Sequence, residues 1–184
     1  DDPGDRALRP KRLREFTGRG PVVRNLGLAI EAARGRGEGL DHVLLSGPPG
    51  LGKTTLAHIV AAELDAEVIE TAGPMLDKPG DLAGILSGLR AGSVLFIDEI
   101  HSLKRVIEEY LYSAMEDFRI TVQLGEGATA NTLTLNLQPF TLVAATTREG
   151  QLSPPLRSRF GIRERLDLYG VDDLTRILSR SATL

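Results

Sequence analysis

Short apolar runs, each closed by glycine, proline or a carboxylate, alternate along this chain with stretches where apolar residues recur every three or four positions. Val22 to Arg34 has helical spacing, with Val23, Leu26, Ala29, Ile30 and Ala33 on one face, until Gly35, Gly37 and Gly39 end it. His42 to Ser46 is a short apolar strand, and Leu56 to Leu64 reads as a buried helix. Glu67 to Thr71 is a second strand, closed by Gly73-Pro74, and Asp81 is placed to cap a helix through Arg90. Ser93 to Ile97, bounded by Gly92 and Asp98, is the continuous apolar run of a strand covered on both faces. An amphipathic helix from Lys104 to Phe118 carries Ile107, Leu111, Ala114, Met115 and Phe118 on one side. Phe140 to Ala145 is again strand-like, Arg165 to Tyr169 reads as the last strand, and a helix follows from about Asp172 to Arg180. Strands alternating with helices predict an α/β fold with a parallel, doubly wound sheet flanked by helices.

One segment departs from that rhythm. Ile120, Val122 and Leu124 alternate with Thr121 and Gln123; after a Gly-rich connection, Leu133, Leu135 and Leu137 alternate with Thr132, Thr134 and Asn136. Two such runs of period two predict a β-hairpin of about 120–137, inserted between a helix and the next core strand. A hairpin with one apolar face needs that face covered, by its own domain or by a partner.

Composition sharpens this in a few places. With 184 residues and 41% hydrophobic content the chain is about one domain in size and can bury a sizeable core. No apolar stretch reaches the ~18 residues that span a bilayer, and the first residues are polar, so neither a membrane role nor a signal peptide is expected and a cytoplasmic location is. Cysteine is absent, which removes disulfides and thiolate metal sites. A net charge of −3 argues against a basic nucleic-acid coat. Between Arg6 and Arg24, however, seven Arg or Lys face only Glu15, either as a solvated segment or as one that holds phosphate or a partner.

The chemistry begins at Gly47-Pro-Pro-Gly-Leu-Gly-Lys53-Thr54-Thr55. Glycines at Gly50 and Gly52 let backbone N–H groups approach a polyphosphate, Lys53 brings a positive charge to its β- and γ-phosphates, and the Thr54 hydroxyl suits Mg²⁺. A strand before and a helix after supply the context this loop needs, and the helix adds its N-terminal dipole. Asp98 and Glu99 stand at the carboxyl end of a buried strand, where open α/β sheets place ligands. Asp98 suits Mg²⁺, directly or through water, and Glu99 suits a general base for the attacking water. At the end of the next strand, Thr146 and Thr147 offer hydroxyls near the same edge. Arg157 and Arg159 sit on a Pro-initiated turn, and a transferring phosphoryl group needs such a cation. His42, His58 and His101 lack metal-site spacing and read as structural or surface histidines.

With these residues in view, the chain resembles the AAA+ ATPases, and within them the motors that drive branch migration of Holliday junctions in recombination and repair. The resemblance rests on Leu8-Arg9-Pro10, Asp41 through Thr55, Gly80-Asp81-Leu82, Leu95 through His101, Glu108 through Tyr112, Ala114 through Phe118, Pro139 through Leu142 and Ser153 through Ile162. It implies ATP and ADP as ligands with Mg²⁺ on Thr54 and Asp98, phosphate contacts from Gly50, Gly52, Lys53, Thr54 and Thr55, and Asp98 and Glu99 as the Walker B pair. Thr147 resembles the polar sensor, with Thr146 as the alternative, and Arg159 resembles an arginine finger acting on the next subunit of a hexameric ring. Leu8, Arg9 and Tyr169 resemble residues that enclose adenine, and Glu116-Asp117-Phe118 is similar to a stretch near nucleotide across a subunit boundary. The hairpin, through Ile120, Val122, Leu124, Leu133, Leu135 and Leu137, resembles one that docks on a junction-binding partner.

Two departures from the family pattern stand out: Phe16-Thr17-Gly18-Arg19 replaces the usual Phe-Ile-Gly-Gln, and Ser102 replaces a common arginine. The resemblance also implies a large ATPase domain over 1–169 and the start of a small helical lid over 170–184, with the rest of the lid and a winged-helix head lying beyond. Such a fragment is expected to bind nucleotide weakly, hydrolyse it poorly, fail to grip DNA and stay largely monomeric. The alternative is a clamp-loader-like module in which nucleotide switches protein contacts; the apolar hairpin separates the two.

Overall fold

The computed structural model describes residues 10–16, 18–124 and 131–181. Five parallel strands, β1 (Val43–Ser46), β2 (Val68–Ala72), β3 (Val94–Asp98), β6 (Thr141–Thr146) and β7 (Ile162–Arg165), form one sheet in the order β2-β3-β6-β1-β7. Helices α1 (Gly20–Arg36) and α2 (Lys53–Glu63) cover one face, and α3 (Pro79–Ser87) and α4 (Arg105–Asp117) the other. Consecutive residues of a strand point to opposite faces, so β3 feeds two cores. Val94 and Phe96 join the cluster of Leu26, Ile30, Leu56 and Ile59, while Leu95 and Ile97 join that of Leu82, Leu86, Ile107 and Leu111. At about 1.5–3 kcal/mol for each fully buried aliphatic side chain, this two-sided burial is what holds the sheet's ends in place.

Local chemistry sets the boundaries. Helix α1 has Pro21 in its first turn and stops at Gly37, whose left-handed backbone lets its N–H reach the carbonyls of Ala33 and Arg34. Asp81 stands at the third position of α3 and not at its cap, accepting the N–H groups of Asp77 (3.1 Å) and Lys78 (2.9 Å). That helix ends at Ser87 and not at Arg90, because the chain turns there and the Arg90 N–H bonds the Ser93 hydroxyl at 3.2 Å. Arg12 of the basic N-terminal segment donates to the Ala62 carbonyl (2.9 Å) and pairs with Glu63 (3.5 Å), and Arg34, in the last turn of α1, donates to the Glu63 carbonyl. Two arginines therefore satisfy the carboxyl end of α2, where orphan carbonyls and the helix dipole favour cations.

The last strand differs from expectation. It is Ile162–Arg165, paired with β1 from Val43 opposite Ile162 to Ser46 opposite Arg165, and not Arg165 to Tyr169. As an edge strand it tolerates charges, while the apolar signal further on comes from Leu166, which is buried beside the phosphate-loop helix.

The hairpin is present as β4 (Arg119–Leu124) and β5 (Asn131–Asn136), antiparallel, with Ile120 opposite Leu135 and Val122 opposite Leu133. Its six apolar positions do not behave alike. Ile120, Val122 and Leu137 are buried in the domain's own core beneath α3 and α4, and Leu135 packs partly against it. Leu133 is 43% exposed, and Leu124 enters the ladder opposite Asn131. The apolar base of the hairpin is core, which narrows any docking surface to its outer part.

Candidate nucleotide site

The sheet delivers its chemistry at one edge. β1 runs into Gly47, β3 ends at Asp98 and β6 at Thr146, so the loop of 47–52, the carboxylates and the threonines meet beyond the carboxyl ends of three neighbouring strands. Between them lies a cavity of about 470 Å³ lined by Pro49, Gly50, Gly52, Lys53, Thr54, Thr55, Asp98, Glu99 and Thr147. Gly50 and Gly52 have φ of +75° and +86°, and a side chain at Gly50 would meet nothing within 4 Å, so the loop is open toward the cavity.

Lys53 is only 7% exposed, and its ammonium donates to the carbonyls of Gly47 (2.9 Å) and Pro48 (2.8 Å). Burial lowers its pKa below the ordinary lysine value, opposed by the negative charges of Asp98 and Glu99. A cation half satisfied by its own loop and set near two carboxylates is suited to an added polyphosphate and metal.

Glu99 follows Asp98 through a left-handed turn (φ 49°, ψ 44°), a conformation that costs a non-glycine residue about 1–3 kcal/mol. Surrounding bonds impose it: the Glu99 N–H bonds Asp98 Oδ1 (2.8 Å), and the Glu99 carbonyl accepts the Ser102 hydroxyl (2.7 Å) and N–H (2.9 Å). Gly73, just after β2, packs against this turn, since a Cβ there would lie 2.3 Å from the Ser102 hydroxyl and 2.5 Å from the Glu99 carbonyl oxygen. Ser102 thus fixes the backbone of Glu99.

The Glu99 carboxylate faces Thr147, whose hydroxyl donates to Oε2 at 3.3 Å, and His101, whose Nδ1 is 3.1 Å from the same oxygen. Thr146 is fully buried, with its hydroxyl 2.9 Å from His101 Nδ1 and accepting the Arg148 N–H at 3.0 Å. Of the two threonines, Thr147 lines the cavity and Thr146 holds the strand end. His101, expected to be structural or on the surface, is bonded to the strand end at Thr146 and is also in contact with Glu99; the signal was its place three residues past the carboxylate that ends β3. His58 pairs with Glu70 at 3.1 Å, and His42 bridges α4 and β6 through Met115 and Leu142.

Tyr169 stands on the outer side of the loop, its hydroxyl 3.5 Å from the Leu51 carbonyl, with the Phe16 ring against Gly52 and the Arg19 guanidinium 4.2 Å above the Tyr169 ring. Leu8 and Arg9 lie outside the described residues.

The remaining site candidates are elsewhere. Arg159 ends the short helix α5 (Pro154–Ser158), just before β7 enters the sheet at Ile162, so it lies at the amino edge, opposite the phosphate loop. At about 3.3 Å per residue, the four residues of β1 alone separate the two edges by roughly 13 Å. Glu116, Asp117 and Phe118 share the edge with Arg159: Glu116 pairs with it at 3.2 Å, Asp117 with Arg119 at 3.6 Å, and Phe118 packs edge-on to Phe140 at 5.8 Å. None of the three lines the cavity around Lys53.

A family model described as the Holliday junction DNA helicase RuvB P-loop domain matches residues 8–166. Among curated proteins, the Holliday junction branch migration complex subunit RuvB of Prosthecochloris aestuarii is 60% identical over 177 residues, 96% of this chain and 52% of that protein. The protein of the same description from Thermotoga petrophila is 58% identical over 183 residues, 100% of this chain and 55% of its own length. The solved Thermotoga maritima RuvB Holliday junction branch migration motor superposes with a TM-score of 0.84 at 56% identity, covering 96% of this chain and 54% of that one. The chain thus spans about half the length of the curated relatives it matches.

Proposed function

The chain belongs to the RuvB P-loop domain family, and from that premise we propose that it is the ATP-hydrolysing motor domain of a Holliday-junction branch-migration protein acting in recombination and repair. The observation that carries the reading is the cavity gathering Lys53, Thr54, Asp98, Glu99 and Thr147 at the carboxyl edge of the sheet. These residues fit MgATP. Lys53 has a third donor beyond the two bonds to its own loop, Gly50 opens on the cavity, and the Thr54 hydroxyl and Asp98 carboxylate are hard oxygen donors of the kind Mg²⁺ takes. Bound there, Mg²⁺ supplies charge neutralisation on the phosphates.

In this reading Lys53 holds the β- and γ-phosphates, while backbone and hydroxyl donors of Gly50, Gly52, Thr54 and Thr55 cradle them. Glu99 accepts the proton of the attacking water, and Thr147, already within bonding distance of Glu99, orients water or γ-phosphate as the sensor. Leu8, Arg9 and Tyr169 enclose the adenine. Arg159, a sheet's height from its own loop, acts on the nucleotide of the next subunit in a hexameric ring, and Glu116, Asp117 and Phe118 face that neighbour. RuvA docks on the outer part of the hairpin, through Leu133 and Leu135 with Leu124, and RuvC joins the resolving complex. Junction DNA is gripped chiefly by a winged-helix head outside these 184 residues. We place the large domain at 1–169, the lid from 170, and the protein in the cytoplasm; no helix among the described residues is long and apolar enough to cross a membrane. The clamp-loader alternative is not favoured, given the RuvB family match and the antiparallel hairpin.

The test is capture of the chain by RuvA, comparing the parent with a Leu133→Ser, Leu135→Ser variant whose folding is checked by circular dichroism, alongside MgATP binding by the parent and by Lys53→Ala. Binding by the parent and loss in the folded double variant supports the assignment. A parent that binds MgATP but not RuvA reduces the reading to an ATPase with another client, and Lys53→Ala binding as tightly as the parent removes the nucleotide reading itself.

A further inference from the structure

Helix α4 buries a carboxylate that the reading above leaves without a task. Glu108 is 7% exposed, and its Oε2 accepts the hydroxyls of Ser153 (2.6 Å) and Tyr112 (2.9 Å), which lie 2.9 Å from each other. A buried carboxylate persists only with donors such as these. Ser153 is also the cap of α5, accepting the Leu156 N–H at 3.3 Å, so the cluster ties α4 to the short helix that ends in Arg159. The Tyr112 phenol is one turn on from Glu108 and is held there; burial pushes it above its ordinary pKa, which keeps it a donor.

The fixed ring has an occupant. The Arg159 guanidinium carbon is 4.4 Å from the Tyr112 ring centroid, while Nη1 donates to the Pro155 carbonyl at 2.7 Å and Nη2 pairs with Glu116 at 3.2 Å. Its Nε is buried without a hydrogen-bond partner. Leu156 and Phe160, on either side of this turn, are buried in the core, so the backbone is anchored and the guanidinium is placed by the ring, one carbonyl and one half-exposed carboxylate. Such a perch orients a cation without satisfying it.

We infer that Tyr112 is a positioning residue for Arg159: its ring, pinned by Glu108 and Ser153, presents the guanidinium at the amino edge of the sheet for delivery to a neighbouring chain's γ-phosphate. The inference rests on the proposal that Arg159 acts in trans. It is tested by mixing an Arg159→Ala chain, which keeps its nucleotide site, with a Lys53→Ala chain, which keeps its arginine, at concentrations where the chains self-associate. The mixture is expected to recover ATP hydrolysis that neither chain shows alone. Adding Tyr112→Leu to the Lys53→Ala chain should lower the recovered kcat about tenfold with KM for ATP unchanged, whereas Tyr112→Phe, which keeps the ring but loses its hold on Glu108 and Ser153, should fall between that variant and the parent. Thermal melts and sedimentation of each donor check folding and association. A Leu-bearing donor that is folded, associates and restores kcat like its parent overturns the role of Tyr112 alone. A parent donor that restores nothing overturns the trans reading, and this inference with it.

Discussion

The central strands and the hairpin are both apolar ribbons, yet burial treats them in opposite ways. In β3, Val94, Leu95, Phe96 and Ile97 are all covered, with helices on both faces, and polar chemistry appears only where the strand runs out, at Asp98 and Glu99. In the hairpin, fully buried Ile120 adjoins exposed Thr121, and Leu133, opposite Val122, is 43% exposed. Along a doubly covered strand, function is a matter of which end a residue occupies. Along the hairpin it is a matter of which strand lies against the body: Ile120 and Val122 of β4 are core, while Leu133 of β5, level with Val122, is largely surface.

The largest expected effect lies at the strand end. Glu99→Gln keeps a hydrogen-bonding side chain beside Thr147 but no longer takes a proton, so phosphate release per site should fall by about 10²–10⁴-fold while MgATP binding persists. A fluorescent nucleotide titration read beside a phosphate-release assay checks both halves, and a Gln variant that still turns over would move the general base elsewhere. Next comes the hairpin base. Ile120→Ala removes a side chain with no exposed surface from the core under α4 and should cost about 2–4 kcal/mol in urea unfolding. A loss under 1 kcal/mol would mean that the hairpin is not part of the domain's core.

A smaller effect is expected where a central strand meets helix α4. His42 accepts the Leu142 N–H of β6 on Nδ1 (2.9 Å), so its Nε2 carries the proton and donates to the Met115 carbonyl of α4 (3.0 Å). Burial lowers its pKa below the ordinary 6.5, opposed by its bond to Met115 and by Asp41. Protonating Nδ1 breaks the Leu142 bond. Because the unfolded chain takes up this proton more readily than the folded one, the contribution is intact above about pH 6.5 and is lost as pH falls from there toward the lowered value. Unfolding midpoints measured from pH 7.5 to 5 should fall more steeply for the parent than for His42→Gln; parallel curves would exclude His42 as the group responsible.

The same contrast explains what the sequence let one read. β3 was legible because a strand covered on both faces is apolar without interruption, and the site at its end was legible because loop, strand and helix follow one another locally. β7 was not, because an edge strand carries Arg163, Glu164 and Arg165, and the apolar Leu166 beyond it is buried outside the ladder. The Glu108, Tyr112 and Ser153 cluster was hidden for another reason: Glu108 reads as the charged face of an amphipathic helix, and the serine that satisfies it lies 45 residues away. The contact of His101 with Glu99 depends on the left-handed turn at Glu99, which no periodicity announces. For the hairpin, alternation revealed the apolar face but not which of its strands the body covers.

That last boundary is where the smallest stability change is expected. Leu133 and Val122 are cross-strand partners of the same residue class, but Val122 is buried and Leu133 is 43% exposed beside a groove lined by Ala83, Tyr110 and Leu135. Leu133→Ser therefore gives up only the covered part of its side chain and should cost about 1 kcal/mol in unfolding. Val122→Ser places a hydroxyl in the core and should cost several times more. If Leu133→Ser proved as damaging as Val122→Ser, the outer hairpin would already be spent on its own domain, and a partner would have to dock elsewhere. If the cost stays that small, the exposed leucine is free to be judged by binding alone, which makes it the cleaner probe of docking than any residue nearer the base.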